Sequence, residues 1–259
     1  MEKRKAQAIR IVPDLKIAIG IGLLKDMFHI IAVDLYGTTI YADTIPLPYS
    51  NIPSYYEQVA AAIKECIARN QYGEERILGI SIATQGITSS DHTAVTYGTI
   101  MNNTGMTVED FSQYLPYPCH LEHDSKSAAC LELWNHPELD SAVIFLLNKN
   151  MGGAIITNHQ IHQGSSMHSG TIEHMCVNPD GPLCYCGNRG CLETYCSADS
   201  LEYSAGLPVA EDIDYLLKRI NSSSPFTLKK DHILVGVHGQ YTPAIGAALF
   251  YVEQFLQSV

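Results

Sequence analysis

The chain has 259 residues, 46% of them hydrophobic, enough for one large core or two modest ones without external staples. Its formal net charge of −11 and pI near 5.4, with no basic block beyond Lys3-Arg4-Lys5, make it a poor electrostatic partner for DNA on its own. No apolar run reaches the roughly eighteen residues of a membrane span, and MEKRKAQAIRIVPD lacks the apolar core and small-residue cleavage site of a secretory leader, so a cytoplasmic location is the default.

Residues 17–23, 28–35 and 39–47 are rich in Ile and Val and are separated by Lys25-Asp26 and by Tyr36-Gly37, which predicts an opening three-stranded β meander. Residues 54–70 place Val59, Ala62, Ile63, Cys66 and Ile67 at helical spacing, and 77–83 returns to a short buried strand. Met101-Asn102-Asn103-Thr104-Gly105-Met106 is, by itself, an ordinary Asn-rich turn. Residues 118–122 read as a strand that ends in His123-Asp124, followed by a helix through Ala128, Leu131 and Trp134. A carboxylate at a strand's end is well placed to face a cleft; Asp is also a favoured helix cap, the plainer reading of Asp124. Another apolar strand spans 142–147, then come Asn148-Lys149-Asn150-Met151-Gly152-Gly153-Ala154, a hairpin through Asn158-His159-Gln160, and Gly164-Ser165-Ser166 leading to Gly170-Thr171-Ile172-Glu173-His174.

The stretch HMCVNPDGPLCYCGNRGCLE, residues 174–193, holds the densest chemistry. His174 stands ten residues before Cys184, followed by Cys186 and Cys191, with Gly187 and Gly190 letting the chain fold sharply back. A Cys-x-Cys pair, a tight turn and a third Cys bring three thiolates to one point at little loop-closure cost, and with the imidazole they make a Cys₃His set suited to tetrahedral Zn²⁺. The alternative is three structural or disulfide-forming cysteines and a surface histidine. Cys66, Cys119 and Cys130 lie in apolar surroundings and read as core thiols, while Cys176 and Cys196 are off the ligand spacing. Beyond Glu193 the chain passes through 198–203 to an amphipathic helix at 212–220, a segment at 225–234, and a final helix at 243–257 carrying Gly246-Ala247-Ala248-Leu249.

A His followed by Cys-x-Cys-Gly-x-x-Gly-Cys-Leu-Glu resembles the signature of the ROK family, the bacterial sugar-responsive repressors and sugar kinases. The resemblance implies an α/β fold of the actin-like ATPase (ribonuclease H-like) type, two-lobed, with a structural zinc knuckle at 174–193. The short span between Leu201 and Asp212 implies a second lobe that is internally shortened. The implied domains are a linker remnant at 1–13, an N-terminal lobe at 14–122 completed by the helix at 243–257, and a C-terminal lobe at 123–242. The implied zinc ligands are His174, Cys184, Cys186 and Cys191, and the implied sugar contacts are Asn102, Asp124, His174 and Glu193.

Kinases of this fold hold ATP phosphates with an Asp-x-Gly-Gly-Thr loop, which falls here on Gly22-Leu23-Leu24-Lys25-Asp26. Leucine and a carboxylate in place of glycines remove the close backbone approach a phosphate cradle needs, and Asp26 would repel phosphate. The second phosphate loop, Gly-Thr-Gly-x-Gly-Gly, keeps only Gly152 and Gly153. His123-Asp124-Ser125-Lys126-Ser127-Ala128 is similar to the His-Asp-x-x-Ala of the repressors. The kinases have Asn-Asp there, with the Asp as general base. In the family's Glu-x-Gly-His motif, Thr171 stands at the Glu position and Glu173 at the Gly position, so one sugar contact is absent or moved. A Glu beside the His could instead support the zinc from outside its ligand set.

The expected function is therefore the effector-binding part of a ROK-type transcriptional regulator. It would bind a sugar or sugar phosphate, dimerise, need no ATP, and reach DNA only through a helix-turn-helix domain outside this chain. The alternatives are an ATP-dependent sugar kinase with Asp124 as its base, and a degenerate module that keeps only its zinc and its dimer surface.

Overall fold

The computed structural model describes residues 10–163, 170–197, 200, 218, 221–222 and 227–259. In chain order the first half comprises β1 (Ile17–Leu23), β2 (Phe28–Val33), β3 (Thr39–Ile45), helix α1 (Pro53–Arg69), β4 (Ile77–Thr84), the short pair β5 (Ile87–Thr88) and β6 (Val95–Tyr97), helix α2 (Glu109–Ser112) and β7 (Cys119–His123). Helix α3 (Asp124–Asn135) follows directly, then β8 (Ala142–Leu147), β9 (Met151–Thr157), β10 (Gln160–Ile161), a 3₁₀ turn (Ile172–His174), helix α4 (Glu193–Cys196) and the terminal helix α5 (Thr242–Ser258).

The main sheet has the order β3-β2-β1-β4-β7, antiparallel from β3 to β1 and parallel from β1 to β7. Its central strand β1, IAIGIGL, is buried along its whole length because both faces are covered. Ile17, Ile19, Ile21 and Leu23 point to the side of α1, where they meet Tyr55, Tyr56, Val59 and Ile63. Each fully buried side chain of this kind contributes about 1.5–3 kcal/mol. The alternate residues Ala18, Gly20 and Gly22 face α5, and a β-carbon on Gly20 would overlap the Ala244 carbonyl, so the small residues of β1 are what let that helix lie flat on the sheet. Gly246 plays the same part between helices: a β-carbon there would overlap the Ser127 carbonyl of α3.

Helix α3 thus packs on α5 by one side and, through Ala129 and Leu133, on β8 and β9 by the other. It joins the main sheet to the second sheet, of order β10-β9-β8. Strand β8 is apolar on both faces and alternates in burial, with Val143, Phe145 and Leu147 exposed.

Most expected elements are present, with shifts that have local causes. Strand β2 stops at Val33, two residues early, because the Asp34 carboxylate accepts from the backbone N–H of Tyr36 and Thr38 (2.9 Å each) and turns the chain. Strand β3 stops at Ile45 because Pro46 has no N–H to donate. The β5–β6 pair and α2 were not expected, being too short to carry a periodicity. The segments 164–166 and, apart from Ser200, 198–203, with Ala205-Gly206, most of the helix at 212–220 and the start of 225–234, lie outside the described residues; the described part of the last, 227–234, contains only a 3₁₀ turn (Lys230–His232). No described helix is long and apolar enough to cross a membrane.

Candidate functional site

The parallel strands β4 and β7 end side by side, Thr84 opposite His123, and the chain turns from β7 straight into α3. A small, half-open cleft lies at this edge. One wall is Gln85, Gly86 and Ile87 with Tyr97, Thr99 and Ile100; the floor is His123 and Asp124; the far side is Asn150, Met151, Gly152, Glu173, His174 and Tyr185. Carboxylates, amides, imidazoles and two phenols, Tyr97 and Tyr185, stand there with Ile and Met side chains, a lining suited to a ligand with many hydroxyls and an apolar face.

Asp124 is the first residue of α3, and its side chain keeps only 15% exposure. Burial raises its pKa, against the opposing pull of His123, 3.6 Å away, and of the Ser125 backbone N–H that donates to Oδ1 at 2.7 Å. The Ser125 hydroxyl lies 2.6 Å from His123 Nδ1 and donates to the Gly153 carbonyl at 3.0 Å, tying the floor of the cleft to β9.

Glu173 is the residue whose part the sequence left most open. Set in the 3₁₀ turn, it is 3% exposed, and its Oε2 has no hydrogen-bond partner although it belongs to the cleft lining. Burial, with Asp124 and Glu193 alongside, pushes its carboxyl up to about 7. Gly152 and Gly153 at the start of β9 serve this arrangement. Gly152 packs on Ser125, and a β-carbon on Gly153 would overlap Ile172, so the strand must be bare there for the turn bearing Glu173 to sit against it.

The other candidates divide. Asp124 and His174 line the cleft; Asn102 and Glu193 are not among its lining residues. Asn102 is exposed on a turn at φ +55°, while its neighbour Asn103 is fully buried and donates to Thr84 Oγ1 (3.0 Å) and the Gln85 carbonyl (2.8 Å), bracing the wall. Glu193 is buried behind the cleft, where its carboxylate accepts from Asn150 Nδ2 (2.9 Å) and the Met151 backbone N–H (2.6 Å). The corresponding turn in the main sheet is closed by a Leu24 N–H to Met27 carbonyl bond of 3.0 Å, with Lys25 and Asp26 exposed.

The four knuckle residues converge, with donor atoms of His174, Cys184, Cys186 and Cys191 within 4.8 Å of one another. Cys186 and Cys191 sulfurs are 3.7 Å apart, and His174 Nδ1 is 3.7 Å from the Cys184 sulfur. Tetrahedral Zn²⁺ with Zn–S bonds of about 2.3 Å sets its sulfurs about 3.8 Å apart, so the donor set fits that ion. The two glycines make the fold-back: Gly187 (φ +89°) follows the turn in which its N–H bonds the Cys184 carbonyl, and Gly190 (φ +67°) leaves no room for a β-carbon against the Asn178 carbonyl. His174 also meets Tyr185 edge-on at 5.0 Å, so the knuckle and the cleft share a wall.

The ROK family model matches residues 16–235. The chain is 28% identical over 192 residues to the N-acetylmannosamine kinase of Vibrio vulnificus (strain CMCP6), covering 68% of this chain and 64% of that protein. It is 27% identical over 189 residues to the DNA-binding transcriptional dual regulator NagC of Escherichia coli (strain K12), covering 71% of this chain and 46% of that protein. The chain therefore spans less than two thirds of the length of either relative. The crystal structure of a ROK family glucokinase from Streptomyces griseus in complex with glucose and AMPPNP superposes with a TM-score of 0.61 at 22% identity, over 80% of this chain and 62% of that one, a likeness of mixed α/β fold.

Proposed function

The chain belongs to the ROK family, and from that premise we propose that it is a sugar-sensing, effector-binding module of the regulator type rather than a phosphoryl-transfer enzyme. The observation that carries this reading is the corner between β8 and β9. In a kinase the donors of this loop would serve phosphate oxygens, but here the Asn150 amide and the Met151 N–H are spent on the buried carboxylate of Glu193. Phosphoryl transfer depends on positioning and charge stabilisation of the phosphates, and Asn148-Lys149-Asn150 stand here in place of the glycines of the kinase loop, while Glu193 itself belongs to the signature that repressors and kinases share. The turn at Leu24–Met27, with its exposed Asp26, supports the same conclusion.

In this reading Asp124 and Glu173 take ligand hydroxyls as acceptors, and the zinc set of His174, Cys184, Cys186 and Cys191 supplies a structural cross-link that holds the Tyr185 wall. N-acetylhexosamines and their 6-phosphates are the first ligand class to test, since relatives carry the names N-acetylmannosamine kinase and N-acetylglucosamine repressor. The second reading, a sugar kinase with Asp124 as general base, draws on the kinase relative and on the place of Asp124 in the cleft.

A coupled assay with ATP and a panel of hexoses and N-acetylhexosamines separates the two, alongside calorimetric titration with the same sugars. The regulator reading expects heat of binding that is lost in Asp124→Ala, and no turnover. Turnover that disappears in Asp124→Asn would overthrow it.

A further inference from the structure

On the far side of β7 from the apolar residue Leu121, three side chains form a cluster that the cleft does not use. His120 and Glu122 are two apart on the strand and so share a face, and His92 reaches them from the turn between β5 and β6. One nitrogen of each imidazole and one carboxylate oxygen lie within 4.8 Å of one another. Glu122 Oε2 is 3.4 Å from His92 Nδ1 and 3.9 Å from His120 Nε2. Both of those ring nitrogens are buried with no hydrogen-bond partner, and His120 is 8% exposed. Two imidazole nitrogens aimed at one carboxylate oxygen and satisfied by nothing else need an explanation.

We propose that His92, His120 and Glu122 form a metal site separate from the cysteine knuckle, taking a borderline divalent cation of the Zn²⁺ type through two imidazole nitrogens and one carboxylate oxygen. The separations fit. With metal–ligand bonds of about 2.0–2.1 Å, tetrahedral donors stand about 3.4 Å apart, the His92–Glu122 distance; His120 Nε2, 3.9 Å from Glu122 Oε2 and within 4.8 Å of the His92 nitrogen, would close in by a side-chain movement of about half an ångström or more.

The donors are also oriented as ligands are. Glu122 Oε1 accepts from the His123 backbone N–H at 2.9 Å, which turns Oε2 to the imidazoles. The His120 ring is stacked on Phe250 at 3.7 Å and 11°, which fixes its plane. His92 is held at φ +58° by its own N–H to the Ser89 carbonyl (2.9 Å) and by the Leu121 N–H on its carbonyl (3.2 Å). The His92 side chain is 25% exposed, so its ring edge reaches solvent although Nδ1 is buried. Lys126, whose charge also feels Glu122, is bonded to Gln163 Oε1 at 2.9 Å. A metal here would clamp the β5–β6 turn, whose flanks supply Ile87 and Tyr97 to the cleft, onto the strand that ends in His123 and Asp124.

The test titrates the full chain, as purified, with Co²⁺, followed by native mass spectrometry and visible absorption, in parallel with His92→Ala and Glu122→Gln. His92 sits on a surface turn and glutamine keeps the Oε1 acceptor, so both variants should fold; circular dichroism checks this. The expected result is one more bound equivalent in the wild type than in His92→Ala, and at least tenfold weaker binding of that equivalent in Glu122→Gln. Its visible bands should lack the thiolate charge transfer that a cysteine site gives. Because the readout is a difference, it does not depend on what the knuckle holds. An equal metal count in folded wild type and folded His92→Ala, whether zero or not, would overturn the proposal, as would thiolate charge transfer in the extra equivalent.

Discussion

Replacing Glu193 by alanine probes the corner on which the functional reading turns. Among the described residues its carboxylate accepts from the buried Met151 N–H at 2.6 Å and from the half-buried Asn150 amide at 2.9 Å. Bonds to a charged acceptor are worth about 1.5–3 kcal/mol each, but the Asn150 amide can turn to water and should count at the bottom of that range or below. Removing the charge also relieves its repulsion of Glu173, which returns part of the loss. The net cost of Glu193→Ala should be about 2–3 kcal/mol, which for a chain of this size lowers Tm by about 4–12 °C. Glu193→Gln keeps an acceptor for Met151 and should cost less than about 1 kcal/mol. Denaturant unfolding of the three proteins gives the numbers, and sugar titration of each shows whether the corner also sets affinity. If Glu193→Ala stays within about 0.5 kcal/mol of wild type, or if the glutamine variant loses as much as the alanine one, the acceptor role assigned to this carboxylate is wrong.

Elemental analysis of protein never exposed to chelator should find zinc bound, and Cys184→Ala with Cys186→Ala should lose about one equivalent; full retention would remove the knuckle assignment. Asp124→Asn should stabilise the protein at neutral pH. A carboxyl whose folded pKa is raised costs no stability below its unfolded value of 3.8, and the cost builds as pH rises above that, so the gain should shrink as the melt is repeated at lower pH. A gain that instead grows toward acid would refute the sign. Gly246→Ala should lose at least about 1–3 kcal/mol, because the added methyl meets the Ser127 carbonyl and parts α3 from α5; an unchanged denaturation midpoint would mean that the helices can separate freely.

The main sheet was legible in the sequence because buried parallel strands and a 17-residue amphipathic helix leave runs of Ile and Val and a helical period that need no tertiary knowledge. The knuckle was legible as a ligand set because its donors are local in sequence. The cleft was harder. Asn102 and Asn103 are indistinguishable as letters, and only the turn at φ +55° decides which one is buried. Glu173 was visible as a carboxylate moved two places along its motif, but its position beside Asp124 depends on Gly153 being bare enough for Ile172 to close on β9. His120 and Glu122 could have been paired from strand alternation alone. His92 could not, since nothing in its neighbourhood announces a turn that folds back on a strand some thirty residues later.

Ser125 has a single hydroxyl proton, and it goes to the Gly153 carbonyl. With that proton committed, the 2.6 Å contact with His123 runs the other way, Nδ1–H donating to the hydroxyl oxygen, so this ring nitrogen is already engaged and has no proton left for a ligand. On the cleft floor the ligand then meets the Asp124 carboxylate as its acceptor, which asks for hydrogen. A free hydroxyl can answer it, whereas an ether or ester oxygen in the same place cannot, so O-alkylation of the hydroxyl that meets Asp124 should reject a ligand as firmly as removing that hydroxyl.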